Sequence, residues 1–158
     1  MSFEDIAALP INELGDPIRS HLHMWVLPGA IMHACDLVRG WGYRVVGDYC
    51  CKWEGRIGSG DHEYCLICVR ADQDDRFDYH GFESCGEHRR GRHSEKPEAV
   101  RKMIEVVSPP PRLELFARKE VEGWMTWGTV SNCLPRSRTS RNRRGRAIGT
   151  RRKKGWRG

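Results

Sequence analysis

Strand-like and helix-like segments alternate along this chain, and that alternation leaves few architectures open. SHLHMWVL (20–27) alternates into an apolar run, while YRVVGDYCCKW (43–53) and HEYCLICVR (62–70) are rich in strand formers. LELFAR (113–118) is a shorter run of the same kind. Between the first two lies AIMHACDLVRG (30–40), whose Ile31, Ala34, Cys35 and Val38 recur at helical spacing, with Gly40 as the expected stop. PEAVRKMIEVV (97–107) has Pro97 in a position suited to a first helical turn and Val100, Ile104 and Val107 on one face. At the start, Ser2 and Asp5 form a capping box ahead of Ile6, Ala7 and Leu9, and Pro10 ends that helix. Strands interleaved with helices of about a dozen residues predict an α/β layered fold with a largely parallel sheet. Ligands of such sheets gather outside the carboxyl ends of the strands. Arg118 closes the strand LELFAR, where an anionic or polar ligand would be met.

The chain has 158 residues, enough for one domain with a real core. It contains no run of about eighteen apolar residues and no basic-then-apolar leader pattern, so an intracellular, cytoplasmic protein with no membrane association is expected. Seven scattered cysteines fit a reducing compartment and free thiols better than a disulfide framework. Charge is unevenly spread. The formal net charge is +6, yet eleven Lys/Arg and no Asp/Glu fall within 136–157, leaving −5 for the remainder. A mildly acidic domain over 1–130 and a basic, disordered tail over 131–158 are therefore expected. Arg143, Arg144, Arg151 and Arg152 in that tail suit a sequence-independent grip on nucleic-acid phosphates, although a solubilising tail would have the same composition.

Several local patterns invite a sharper chemistry. Cys65 and Cys68 form CxxC, Cys85 and His88 form CxxH, and their separation fits a Cys₃His zinc site. YCLICVR is, however, a run of strand formers, in which residues three apart face opposite ways. Small buried hydrophobes are the better reading, so no metal site is expected. Cys50 and Cys51 read in the same way. SPPP (108–111) lacks the aromatic fourth residue that would stack a base, and serves as a stiff entry into a strand. The glycines of EGRIGSGD (54–61) match no phosphate-binding fingerprint and read as a flexible connection.

Four segments together resemble the adenine-N6 methyltransferase family named for the seventy-kilodalton subunit of the messenger-RNA methyltransferase MT-A. These are MSFEDIAALP, HMWV with LVRGWGYRVV, HEYCLICVR, and the longest, HSEKPEAVRKMIEVVSPPPRLELFARKEVEGWMTWG. The last contains a Lys-Pro helix, a Ser-Pro turn, a Glu-Leu-Phe-x-Arg strand and a Gly-Trp…Trp-Gly close, and is the most specific. The resemblance spans roughly 2–128. It implies a Rossmann-like fold that binds S-adenosylmethionine and transfers its methyl group to the exocyclic nitrogen of adenine in RNA or DNA. By position it implies that Lys96 reaches the carboxylate side of the cofactor, and that Glu114 and Arg118 border its ribose and methionine parts. Thr129 stands where the family has an asparagine that contacts the ribose. Lys52 matches a lysine on the nucleic-acid side, where Arg56 in the following loop is also expected.

The chain departs from that family pattern in ways that bear on activity. The catalytic Asp-Pro-Pro-Trp, whose polar groups hold the adenine amine while its aromatic ring stacks the base, is not present in these 158 residues. No catalytic residue is therefore assigned, and a fold incomplete at the N-terminus is expected. Cys50 replaces a tryptophan, and the substrate loop is shortened to GRIGSGDHE. Two expectations follow: a methyltransferase-like domain with no transfer activity alone, or a non-catalytic nucleic-acid-binding partner of an active methyltransferase subunit.

Overall fold

The computed structural model describes residues 2–58, 60–72, 81–91 and 94–128. Two short helices come first, α1 (Phe3–Ala7) and α2 (Ile11–Leu14). The expected capping box is formed: the Asp5 amide donates to Ser2 Oγ at 3.2 Å, and the Ser2 amide donates to Asp5 Oδ2 at 2.8 Å. Strand β1 (His21–Val26) leads through a 3₁₀ turn (Pro28–Ala30) into helix α3 (Ile31–Gly40). Strands β2 (Tyr43–Trp53), β3 (His62–Arg70) and β4 (Cys85–His88) follow, then α4 (Glu98–Val107), β5 (Arg112–Ala117) and β6 (Trp124–Gly128).

Gly40 does not stop α3. The helix runs through it, and the left-handed residue is Gly42, at φ +79°. The Trp41 amide donates to the Leu37 carbonyl and that of Gly42 to the Arg39 carbonyl, both at 3.0 Å, so the last turn closes on the glycine two positions later.

The α/β class is as expected, but the sheet is mixed rather than largely parallel. Its order is β1-β3-β2-β4. β3 runs antiparallel to both neighbours, in register His21↔Val69 with β1 and Lys52↔His62 with β2, while β4 lies parallel to β2. A parallel partner needs a crossover of about a dozen residues, usually helical. The connection from β1 to β2 has one in α3, and those two strands do run the same way. The short 54–61 connection has none, so β3 folds back as a hairpin and slots between them. Gly55, Gly58 and Gly60 all have positive φ in that turn. β5 and β6 form a separate parallel pair joined by 118–123, a link shorter than the usual crossover, and the Trp-Gly close is strand β6 itself.

Helices cover both faces of the four-stranded sheet. On one, Ala34 and Val38 of α3 pack with Ile11, Val26, Trp41, Tyr43, Leu66 and Cys68. On the other, Val100, Met103 and Ile104 of α4 pack with Tyr49, Cys51, Trp53 and Cys65. Cys65 and Cys68 thus face opposite cores, as strand geometry requires. Among the described residues no cluster of three or more His, Cys, Asp or Glu is placed to hold a metal, and no helix is long and apolar enough to cross a membrane. CGEH, which carries the CxxH pair Cys85 and His88, is the edge strand β4; a strand this short gives little local signal.

Candidate functional site

One edge of the sheet collects the carboxyl ends of β1 and β2 and the start of β3, because β3 is antiparallel to both. On the α4 side of that edge lies a cavity of about 290 Å³, near the lower end of small-molecule sites. Trp25 and Val26 of β1, Trp53 of β2 and Glu63 of β3 line it, together with Leu27, Arg90 and the segment Ser94–Glu95–Lys96 that leads into α4. Alternation along the strands puts Trp25, Trp53 and Glu63 on one face. Pro97 then starts α4 and fixes Lys96 at the rim.

Lys96 is the hinge of this arrangement. Its Nζ donates to Glu63 Oε2 and lies 4.9 Å from the centre of the Trp25 ring. The cation is therefore neutralised by a carboxylate and supported by an aromatic face. Its neighbour Glu95 accepts from Lys119 Nζ at 3.0 Å, which brings the loop after β5 to the cavity wall. Ser94 adopts φ +64°, so the backbone entering the site is in a region that residues other than glycine seldom use. In the core under α4, burial, followed by the nearby Glu63 carboxylate, pushes the Cys51 thiol up to about 11. Burial likewise pushes Cys65 up to about 12. Both stay protonated at neutral pH and act as packing groups rather than nucleophiles.

The sequence-predicted residues divide. Lys96 lines the cavity; Glu114 and Arg118 do not. Glu114 sits in mid-strand and accepts from Arg101 of α4 at 3.3 Å, an ion pair whose arginine is 10% exposed. Arg118 follows the last residue of β5, one position before Lys119. Lys52 projects from the opposite face of β2, paired at 3.9 Å with Glu87, so the structure does not bring it to Lys96. Arg56 is exposed in the hairpin and donates to the Gly60 carbonyl at 3.4 Å. Thr129, Arg143, Arg144, Arg151 and Arg152 lie outside the described residues. Sequence reasoning passed over Trp25, Trp53 and Glu63 as site residues; alternation about Cys51 and Cys65 aligns Trp53 and Glu63 with those cysteines, and the β1–β3 register sets Trp25 opposite Cys65 on the same face. Phe116 was also missed as a special position. Its φ is +60° in a bulge of β5, and its exposed ring meets Trp127 edge-on at 5.5 Å.

A layered α/β fold with an aromatic, charged cavity at the carboxyl edge of its sheet is of the Rossmann-like methyltransferase kind. The MT-A70 family model matches residues 1–130, and the chain belongs to that family, whose members are S-adenosylmethionine-dependent methyltransferases. A comparison with curated proteins finds no match.

Proposed function

We propose that this chain supplies the cofactor-side wall of an adenine-N6 methyltransferase acting on RNA or DNA. The observation that carries this reading is the Trp25–Lys96–Glu63 arrangement at the mouth of the cavity, within the region matched to the family. The groups present suit S-adenosylmethionine: a lysine for its carboxylate, the Glu63 and Glu95 carboxylates for its ammonium or hydroxyls, and indole rings for its flat or apolar parts. When bound, the cofactor supplies a methyl group on a positively charged sulfur. The chain's own contribution is to orient that ligand and exclude water with Trp25, Trp53 and Leu27. The family resemblance assigns Arg118, Glu114 and Thr129 to the cofactor side as well, although Glu114 and Arg118 do not line this cavity, and it assigns Lys52 and Arg56 to the nucleic-acid side.

Residues 1–158 contain no Asp-Pro-Pro-Trp to hold the adenine amine, and this polypeptide by itself transfers no methyl group in the proposal. Titration calorimetry of the full chain with S-adenosylmethionine tests the cofactor reading: saturable binding that Lys96→Met weakens supports it, and no heat of binding at millimolar ligand removes it. Radiolabelled methyl transfer to adenine-containing RNA and DNA tests the inactivity, which turnover by the chain alone would overturn.

A second reading is a non-catalytic nucleic-acid-binding partner of an active methyltransferase. The eleven Lys/Arg of 136–157 favour it. Nucleic-acid affinity falling steeply with salt, with no cofactor binding, is the outcome that selects it.

A further inference from the structure

A second chemical site lies on the α3 side of the sheet, away from the cavity. Cys50 of β2 and Cys85 of β4 are direct partners in the parallel ladder. Neighbouring strands stand about 4.8 Å apart, and a disulfide spans Cα separations of about 4.4–6.8 Å. Partners in such a ladder also send their side chains to the same face. Cys85 is exposed and Cys50 half-buried, so reagents in solution reach the pair. The other thiols of the sheet are protected. Cys51, Cys65 and Cys68 are all fully buried, and burial pushes Cys68, like Cys65, up to about 12. Cys35 on α3 is half-buried, and its thiol neighbour is the sealed Cys68. β4 is only four residues long and pairs, among the described residues, with β2 alone, so this edge strand has room for the small approach that a bond requires.

We propose that Cys50 and Cys85 form an oxidisable dithiol that closes to a disulfide between β2 and β4. The oxidant class is a small-molecule disulfide, with glutathione disulfide as the probe. The Cys85 thiolate attacks one sulfur of the probe, forming a mixed disulfide and releasing one glutathione thiolate. The Cys50 thiolate then attacks the Cys85 sulfur, forming the protein disulfide and releasing the second glutathione. Two protein thiols lose two electrons and two protons, and one glutathione disulfide becomes two glutathione thiols. Burial, and after it the neighbouring Cys85, raise the Cys50 thiol above the ordinary cysteine range, which disfavours it as the first nucleophile and leaves the first attack to the exposed Cys85. Two residues along the same ladder Lys52 and Glu87 stand opposite each other, so the bridge would pin Glu87 beside that lysine.

The test uses the full-length chain, reduced, exposed to excess glutathione disulfide, alkylated, and peptide-mapped without reduction. The expected result is a peptide pair joined through Cys50 and Cys85, two hydrogens lighter than the separate peptides and opened by dithiothreitol. Cys85→Ser, at an exposed position, abolishes that pair with the thermal midpoint of the reduced protein unchanged, while Cys133→Ser leaves the pair intact. Complete alkylation of both thiols overturns the proposal. So does a stable glutathione adduct on Cys85, or a bridge from Cys85 to Cys133 or to a second chain.

Discussion

The two ends of β3 each hold a cation against an aromatic ring, and the two are built for different purposes. At the carboxyl end, the Arg70 guanidinium lies 4.7 Å from the centre of the Tyr43 ring and is 8% exposed. It donates to the carbonyls of Asn12 (2.6 Å), Gly15 (3.1 Å) and Asp16 (3.3 Å) and to Ser20 Oγ (3.1 Å). At the amino end, Lys96 meets Trp25 and Glu63 beside a cavity. Arg70 is tied mostly to backbone carbonyls, which no ligand can displace without unfolding the segment from α2 to β1. Lys96 is tied to a side-chain carboxylate, which can swing away and leave the cation for another anion. Multidentate backbone ligation marks a structural cation, and a side-chain partner at a cavity rim marks an exchangeable one.

Substitutions at the two ends separate these roles. Arg70→Met should have the largest effect, a loss of about 3 kcal/mol or more of stability in urea unfolding, because three backbone carbonyls and the Ser20 hydroxyl lose one buried, charged donor at once. A loss below about 1 kcal/mol would mean that the closed end is not a clamp. Next in size is the pH dependence set by His23, in β1 between the two ends. Burial, and then the nearby His21, lower its pKa to about 3, and its Nε2 lies 2.9 Å from Ser108 Oγ. The unfolded chain binds a proton near pH 6.5 that the folded chain refuses. This stability is therefore complete above 6.5 and falls, by about 1.4 kcal/mol per pH unit, as pH drops toward 3. Carboxylates add their own losses only below about pH 4.5, so denaturation between pH 6.5 and 4.5 isolates the histidine. His23→Gln should flatten the slope in that window.

At the open end, Lys96→Met should leave stability within about 1 kcal/mol of the parent, since the pair is partly exposed, with lysine and glutamate side chains 25% and 16% accessible. It should weaken S-adenosylmethionine binding about tenfold or more by calorimetry, as expected for one lost charge-assisted hydrogen bond. A variant that unfolds instead would make Lys96 a second clamp and erase the contrast. The smallest effect is expected from Gly42→Ala, about 1 kcal/mol by thermal unfolding. The nearest atom to an added Cβ is Arg70 Nη1 at 3.9 Å, so the cost is the left-handed backbone alone. A larger loss would show that the turn after α3 also positions Arg70.

The contrast between the ends was only half legible beforehand. Lys96 stood out through a family motif, but its partner Glu63 lies 33 residues away and Trp25 farther still. Arg70, the last residue of the HEYCLICVR run, carried no signal of its own; its carbonyl partners are 54 to 58 residues distant. Glu114, expected at the ligand, is engaged by Arg101, thirteen residues earlier on a helix whose orientation the strand pattern does not encode. Cys50 and Cys85 carried no joint signal, because β4 is a four-residue strand without apolar alternation.

Local sequence by itself determined the strands β1, β2, β3 and β5, the helices α3 and α4, the capping box of Ser2 and Asp5, and the opposed faces of Cys65 and Cys68. Each depends on neighbours within a few positions, where backbone periodicity and capping act directly. The tertiary structure alone decided that β3 enters antiparallel between β1 and β2. That insertion puts Glu63 and Trp25 beside Lys96 at one edge and Arg70 under the α2–β1 segment at the other. The reason is physical: strand order and ion-pair partners are set by how layers bury their faces against each other, at separations where sequence periodicity carries no information.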